Sequence, residues 1–375
     1  MSNSRRTRSG VIVAAVTVVL ALVAAAVVFF GGGYERWQDG RSVARACGGV
    51  VPGEAVRSLL RSNSAYVDRD SEEHSVFAGD AGWLETCAVT ARGADGGSVS
   101  LGVGRAGEVR GILAGLGRQN LLQSPLPTTP VGSGWSGVVS WVGPLRNAVV
   151  QLDCRRTGVP DLVVRASALT DGEQDSAEAA AGLTRIARVV TETAGRANDK
   201  WGCEAALGKT VTSLAGPKPG RTEVKAVAEA HGTCRALTAV LSGLSSRRGA
   251  SSVGGVVEAP VDAAPLEDCQ IVDKGGEPLF QLTALYGALS GDVLSTRTGR
   301  VFASDGRSEG EWADAWASAR CEQRTEPARY LVAAADPAKG RDAATRELER
   351  LLLRAFAAES AERHGCGAVV DNRTK

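Results

Sequence analysis

Hydrophobic positions along this chain fall into three patterns. The first is an unbroken run, Val11 to Phe30, made of Val, Ala, Leu, Ile and Phe with one Thr and no charge. At about 1.5 Å per helical residue the run is about 30 Å long, the thickness of a bilayer's hydrocarbon core, and it predicts a transmembrane helix. The second pattern is short and rich in β-branched residues. It predicts strands at Thr86 to Ala91 and Ser98 to Val103, joined as a hairpin, and at Gly137 to Val142, Ala148 to Cys154 and Leu162 to Ala168. Further along it recurs at Cys269 to Val272, Leu279 to Tyr286 and Tyr330 to Ala335. The third has helical spacing. Ser176 to Ala197 places Leu183, Ile186, Val189 and Val190 on one face, and Ala343 to Glu362 does the same with Leu348, Leu351, Leu352 and Phe356. Shorter helices are predicted at Glu54 to Arg61, Gly107 to Leu122 and Arg235 to Leu244.

These elements recur in order. Leu84-Glu-Thr-Cys87 matches Leu266-Glu-Asp-Cys269, each opening a strand, and the two long helices end in Trp201-Gly-Cys203 and His364-Gly-Cys366. The chain therefore reads as a tandem duplication. Glu311 to Arg320 has helical composition, yet the repeat register assigns it to the strand that ends at Cys154 in the first copy. The expected organisation is a tail (1–10), a transmembrane helix (11–30), a juxtamembrane linker (31–45) with a flexible exit at Gly31 to Gly33, and a first repeat (46–203). A connecting helical segment (204–232), a second repeat (233–366) and a C-terminal tail (367–375) follow. The fold class expected is α+β: two related domains, each an antiparallel sheet packed by helices and stapled by two disulfides.

Eight cysteines, Cys47, Cys87, Cys154, Cys203, Cys234, Cys269, Cys321 and Cys366, divide into two sets of four with similar intervals. None forms a CxxC pair, so zinc-knuckle and thioredoxin-like spacings are absent. Four cysteines allow three pairings in each repeat. A strand followed by a helix of comparable span brings the chain back to where the strand began, which favours Cys154 with Cys203 and Cys321 with Cys366. Elimination then leaves Cys47 with Cys87 and Cys234 with Cys269. Such bridges imply an oxidising compartment.

The basic tail Arg5, Arg6 and Arg8 would stay in the cytoplasm, but the flank from Glu35 to Arg45 weakens that bias. The cysteines supply the orientation, with the N-terminus in and the bulk of the chain out. Two other readings of the run compete. Ala24-Ala25-Ala26 could end a cleaved signal peptide, although the run continues through Phe30, beyond the usual apolar region of about 7–15 residues. Lipid attachment is disfavoured because Cys47 stands far beyond the run.

Lys and Arg total 43 against 42 for Asp and Glu, so net charge offers no case for nucleic acid. Gly102-Val-Gly104-Arg-Ala-Gly107 matches a dinucleotide fingerprint, but after Glu108 no carboxylate occurs until Asp153. Gly208-Lys209-Thr210 lacks the first glycine of a phosphate loop, since Cys203 stands there, and no nucleotide or other cofactor is expected. His231 and His364 read as polar residues at helix ends. His74 lies in the carboxylate-rich loop Asp68 to Asp80, which fits no EF-hand spacing and reads as a solvated acidic loop. Of seven tryptophans, Trp83 and Trp201 precede cysteines and should pack on disulfides, while Trp135 and Trp141 are the candidates for exposure. The Pro-rich stretch Gln123 to Gly134 reads as a surface loop.

The segment Cys47-Gly-Gly-Val-Val-Pro-Gly-Glu-Ala-Val-Arg-Ser-Leu-Leu60, followed by Leu84-Glu-Thr-Cys87, resembles the opening of small secreted or lipid-anchored actinobacterial proteins of unknown function. The resemblance covers about forty residues and implies helices packed on an antiparallel sheet with the first two cysteines bridged. It brings no activity, and this chain departs from the pattern in being duplicated and in lacking a lipid-attachment cysteine. No residue set is assigned to catalysis, cofactor or metal. The expectation is a membrane-anchored extracytoplasmic binding or scaffold module that meets an envelope protein or wall polymer. The alternative is a hydrolase or transferase with a site in one repeat, where the His74 loop is the place to look.

Overall fold

Because the β-branched runs are short and the two amphipathic helices long, each helix can cover one face of a sheet. The computed structural model describes residues 17–18, 33–67, 77, 82–93, 97–118, 128–170, 176–217, 223–243, 253–262, 264–293, 316–322, 324, 326–335 and 343–371. Apart from Thr17 and Val18, the run Val11 to Phe30 lies outside them, and so does the loop around His74 except Phe77. Among the described residues no helix is long and apolar enough to cross a membrane.

The first half begins with α1 (Gly33–Arg45), a 3-10 turn (Ala46–Gly49) and α2 (Gly53–Leu60). Then come β1 (Ala65–Val67), β2 (Trp83–Ala91), β3 (Ser98–Arg105), α3 (Ile112–Gly115), β4 (Thr129–Gly132), β5 (Trp135–Val142), β6 (Leu145–Leu152), β7 (Leu162–Leu169) and α4 (Ser176–Trp201). The second half carries α5 (Leu237–Gly243), β8 (Val253–Glu258), β9 (Leu266–Asp273), β10 (Pro278–Leu285), α6 (Ala288–Asp292), β11 (Trp316–Ala319), β12 (Ala328–Ala334), α7 (Ala343–Arg363) and β13 (Val370–Asp371).

The sheets run β1-β2-β3-β7-β6-β5-β4 and β8-β9-β10-β12-β11-β13, antiparallel throughout. Their first five positions correspond strand for strand, and the register agrees: Cys87 faces Leu101 as Cys269 faces Leu282. The bridges Cys47–Cys87, Cys154–Cys203, Cys234–Cys269 and Cys321–Cys366 fall at equivalent places in the two halves, in the pairing that the strand–helix return favours. Both long helices end alike. Gly202 and Gly365 take φ of 61° and 62°, and the N–H groups of Cys203 and Cys366 then donate to the carbonyls of Asn198 and Ala361. This left-handed stop satisfies the last helical carbonyls and turns each cysteine back toward its sheet.

Three apolar clusters follow from the alternation of side chains along each strand. Leu101, Val150 and Val164 of the first sheet pack with Leu183, Ile186 and Val190 of α4. Ile271, Leu282 and Tyr330 of the second pack with Leu352 and Phe356 of α7. The opposite faces supply the third cluster, in which Val138, Val149 and Val163 meet Leu266, Leu285 and Leu331, with Ile112 and Leu113 of α3 and Leu289 of α6 among them. The two long helices thus lie outside, and a seam that also takes in α3 and α6 joins the two sheets.

Several expectations change. The linker 31–45 is helical from Gly33, and α1 packs on the first sheet: Val43 is buried, and buried Asp39 accepts from Arg92 at 2.7 and 2.8 Å and from Ser64 at 2.9 Å. Within Gly107 to Leu122 the described helix is only Ile112–Gly115, because Gly111 and Gly117 (φ 76° and 77°) end it on both sides. The segment 204–232 holds no α-helix where described, only one 3-10 turn (Val227–Glu229) and an isolated bridge at Lys225. Its backbone finds partners on the sheets instead of within a helix: Lys209 N–H donates to Ser133, and Lys225 exchanges hydrogen bonds with Val256. Trp316–Ala319 is a strand despite its helical composition, as the register requires. In the tail, Val370–Asp371 adds to β11.

Candidate functional site

A dense set of buried polar and ionisable groups stands where α7 meets the second sheet. Glu267 lies on β9 two residues before Cys269, with its side chain turned to the helix. Its carboxylate accepts from Ser360 Oγ at 2.7 Å, Arg363 Nη2 at 2.6 Å and His364 Nε2 at 2.9 Å. Burial alone would raise this carboxyl; the hydrogen bonds from His364 and Arg363 outweigh it and hold it below the usual carboxylate range. The Tyr286 ring stacks on His364 at 3.6 Å and 14°, and its hydroxyl shares a 2.6 Å hydrogen bond with Ser360 Oγ. Tyr330 stands edge-on to Tyr286, and burial pushes its hydroxyl up to about 12. Arg363 also reaches Glu359, which pairs with Arg235.

The first half has a plainer counterpart. Glu85, two residues before Cys87, pairs with Lys200, three residues before Cys203, at 2.7 Å. Glu267 and Arg363 occupy the same two offsets from Cys269 and Cys366. Trp201 stands where His364 stands, and Lys200 lies 4.6 Å from its ring centre. The carboxylates differ in burial: Glu85 is 27% exposed and Glu267 2%. A strand carboxylate holding the end of the long helix is common to both halves, while His364, Ser360, Tyr286 and Tyr330 have no counterparts in the first.

Chemically this cluster is spent on itself. A serine nucleophile needs its base within hydrogen-bond reach. Here Ser360 Oγ donates to Glu267, His364 Nε2 faces the same carboxylate, and Ser360 is fully buried. The arrangement pins α7 to β9.

A second polar set lines the seam. Asp268, fully buried, pairs with buried Arg118. It also accepts from Thr128 N and Oγ1 at 3.0 Å each, Thr283 Oγ1 at 3.0 Å and Gln281 Nε2 at 3.2 Å. Asp292 at the end of α6 accepts from Gly111 N at 2.8 Å and Leu113 N at 2.7 Å, so the second half caps a helix of the first. Gln151 on β6 donates to Tyr286 O at 3.0 Å and accepts from Ala288 N at 3.3 Å. Arg324 lies 3.6 Å from Asp153.

The motifs singled out in the sequence have structural roles where described. Gly102 and Gly104 of the false dinucleotide fingerprint sit in β3 beneath Phe77 and Trp83, and a Cβ at Gly102 would stand 2.8 Å from the Trp83 ring. Gly208 lies similarly against Trp135. Trp135, expected exposed, is buried and donates to Lys209 O at 2.8 Å, because the chain after Cys203 folds back over it; Trp141 is half-exposed. Exposed His231 follows the 3-10 turn Val227–Glu229, and its N–H donates to Glu258. His364 follows α7 as expected, but it is buried on Glu267. Among the described residues no group of three or more His, Cys, Asp or Glu could hold a metal ion. Asp268, Arg118, Asp292 and Gln151 carry no motif, whereas the shared Leu-Glu-x-Cys was a legible pointer to Glu85 and Glu267. Comparison with models of known families, with curated proteins and with solved structures finds no match.

Proposed function

We propose that this is a single-pass protein of a bacterial cell envelope, with residues 1–10 in the cytoplasm, Val11 to Phe30 across the membrane and both sheets outside. The halves are copies of one duplicated domain, and together they form a non-enzymatic binding or scaffold module for an envelope protein or wall polymer. The observation that carries this reading is that all eight cysteines are joined in four bridges, which form and persist in oxidising compartments. The apolar run supplies an anchor of bilayer length, and the buried seam keeps the two copies together as a binding body.

Thiol labelling of intact cells with a membrane-impermeant maleimide tests the placement. Labelling should appear only after an external reductant is added, and without lysis; labelling that requires lysis would put the sheets on the cytoplasmic side. Crosslinking through the ectodomain tests the role. A specific envelope protein or peptidoglycan fragment should be captured, and absence of both would remove the binding reading. The second reading, an extracytoplasmic hydrolase or transferase with a site in one half only, draws on Glu267, Ser360 and His364 meeting in the second half, and it requires the buried Ser360 to become accessible. Ser360→Ala should leave any cellular phenotype of the protein intact; loss of that phenotype in folded protein would turn the choice toward the enzyme.

A further inference from the structure

Strand register leaves one end of the first sheet apolar and uncovered. Val142, Leu145 and Leu169 are paired in one row across β5, β6 and β7, and all three are exposed. Among the described residues, the strands of the first sheet expose no other large apolar side chain. Alternation puts the three on the face that carries Val138, Val149 and Val163 into the seam, past the part that the second half covers. The turn between β5 and β6, Gly143-Pro144, is exposed and uncharged.

The course of α1 decides what this end faces. Asp39 accepts from Arg92, just past the end of β2, whereas Cys47, two residues after α1, is bridged to Cys87 in the middle of β2. Followed back toward its start, α1 therefore climbs to the end of the sheet where Thr90 pairs with Ser98, Ser98 with Leu169, and the row continues to Val142. Gly33 lies six residues before Asp39, about 9 Å further along the helix. The apolar run stops at Phe30, three residues earlier. Val142 stands four strand spacings from β2 in that row, about 19 Å. We propose that this end of the first sheet rests on the outer face of the membrane that anchors the chain, touching lipid through Val142, Leu145 and Leu169; the proposal depends on Val11 to Phe30 being that anchor. Glycine, which restricts the backbone least, fills positions 31 and 32 and lets the body lean onto its β5–β6 side. Three apolar side chains hold a bilayer weakly by themselves, and the tether raises their effective concentration beside it. Arg92 at this end is paired with Asp39, and Asp171, Glu173 and Asp175 follow Leu169 in the sequence, so the contact is apolar and not drawn by anionic lipid.

Nitroxide labels on Leu145→Cys and, separately, Val142→Cys test the contact, with the full chain in phosphatidylcholine nanodiscs and collision with oxygen compared with that of a nickel chelate. Both positions are exposed, so neither substitution disturbs the core. Both labels should sit about 5–10 Å into the boundary between headgroups and acyl chains. A label on Val261→Cys should stay in water: Val261 is exposed as well, but its neighbour Asp262 lies against Gly132, at the opposite end of the β4–β5 pair. Labels at 142 and 145 as open to the nickel chelate as the one at 261, in a chain that resists carbonate extraction from cell membranes, would overturn the contact and leave the anchor standing. A chain that carbonate extracts would overturn the anchor and the contact with it. Spin–spin broadening that disappears on dilution with unlabelled chain would put a second copy on this end of the sheet and overturn the lipid contact.

Discussion

Replacing Arg118 with Met probes the seam at a fully buried ion pair. Arg118 is 1% exposed and Asp268 0%, so the substitution leaves a carboxylate without its guanidinium in the interior. Removing one partner of a buried pair costs about 3–5 kcal/mol. Asp268 keeps the Thr128, Thr283 and Gln281 donors, which puts the expected cost at the low end, about 3 kcal/mol. Methionine restores much of the buried aliphatic stem, so little of this loss comes from a cavity. Urea unfolding of the full chain in detergent, followed by tryptophan fluorescence and far-ultraviolet circular dichroism, measures it. Arg118 belongs to the first half and Asp268 to the second, so both probes should shift together with unchanged slope. A loss below about 0.5 kcal/mol, or destabilisation confined to one half, would refute the reasoning that this pair joins the two sheets.

Three further outcomes are expected. Glu267 has its carboxyl depressed in the folded state, so it stabilises above its unfolded value of about 4.3 and loses that contribution as pH falls through the lower folded value. Glu267→Gln should therefore be less stable than wild type at pH 7, with the gap closing under acid in a circular-dichroism titration. Asp292→Ala should cost about 1–2 kcal/mol by uncapping α3, and exchange at Gly111 and Leu113 should rise while β2 stays protected. Gly102→Val should lower the thermal midpoint, costing about 1–3 kcal/mol, because its side chain would meet Trp83 and Phe77; an unchanged midpoint would contradict that packing.

The bridges and the matched strand order were legible because they depend on local periodicity and on the span of a strand against a helix. Leu-Glu-x-Cys and the Gly-Cys helix ends mark the same places in both halves. Failures came where a segment's partners are distant in sequence. Trp135 looked exposable because nothing nearby hides it; it is covered by Lys209, a partner 74 residues away. The segment 204–232 has Ala and Lys suited to a helix, yet its backbone pairs with β-structure from both halves.

By itself, then, the sequence determined the apolar run, the α+β character, the doubled order of elements and the places of the cysteines, since alternation and helical spacing are properties of neighbouring residues. Only the tertiary structure decided that the two sheets turn their polar-bearing faces to each other, so that Asp268 finds Arg118 and Asp292 finds α3. It also decided that His364, an ordinary histidine after a helix, becomes a buried group on Glu267. The physical reason is that burying a charge is tolerable only against a particular partner, and which partner that is depends on how whole sheets pack rather than on any spacing along the chain.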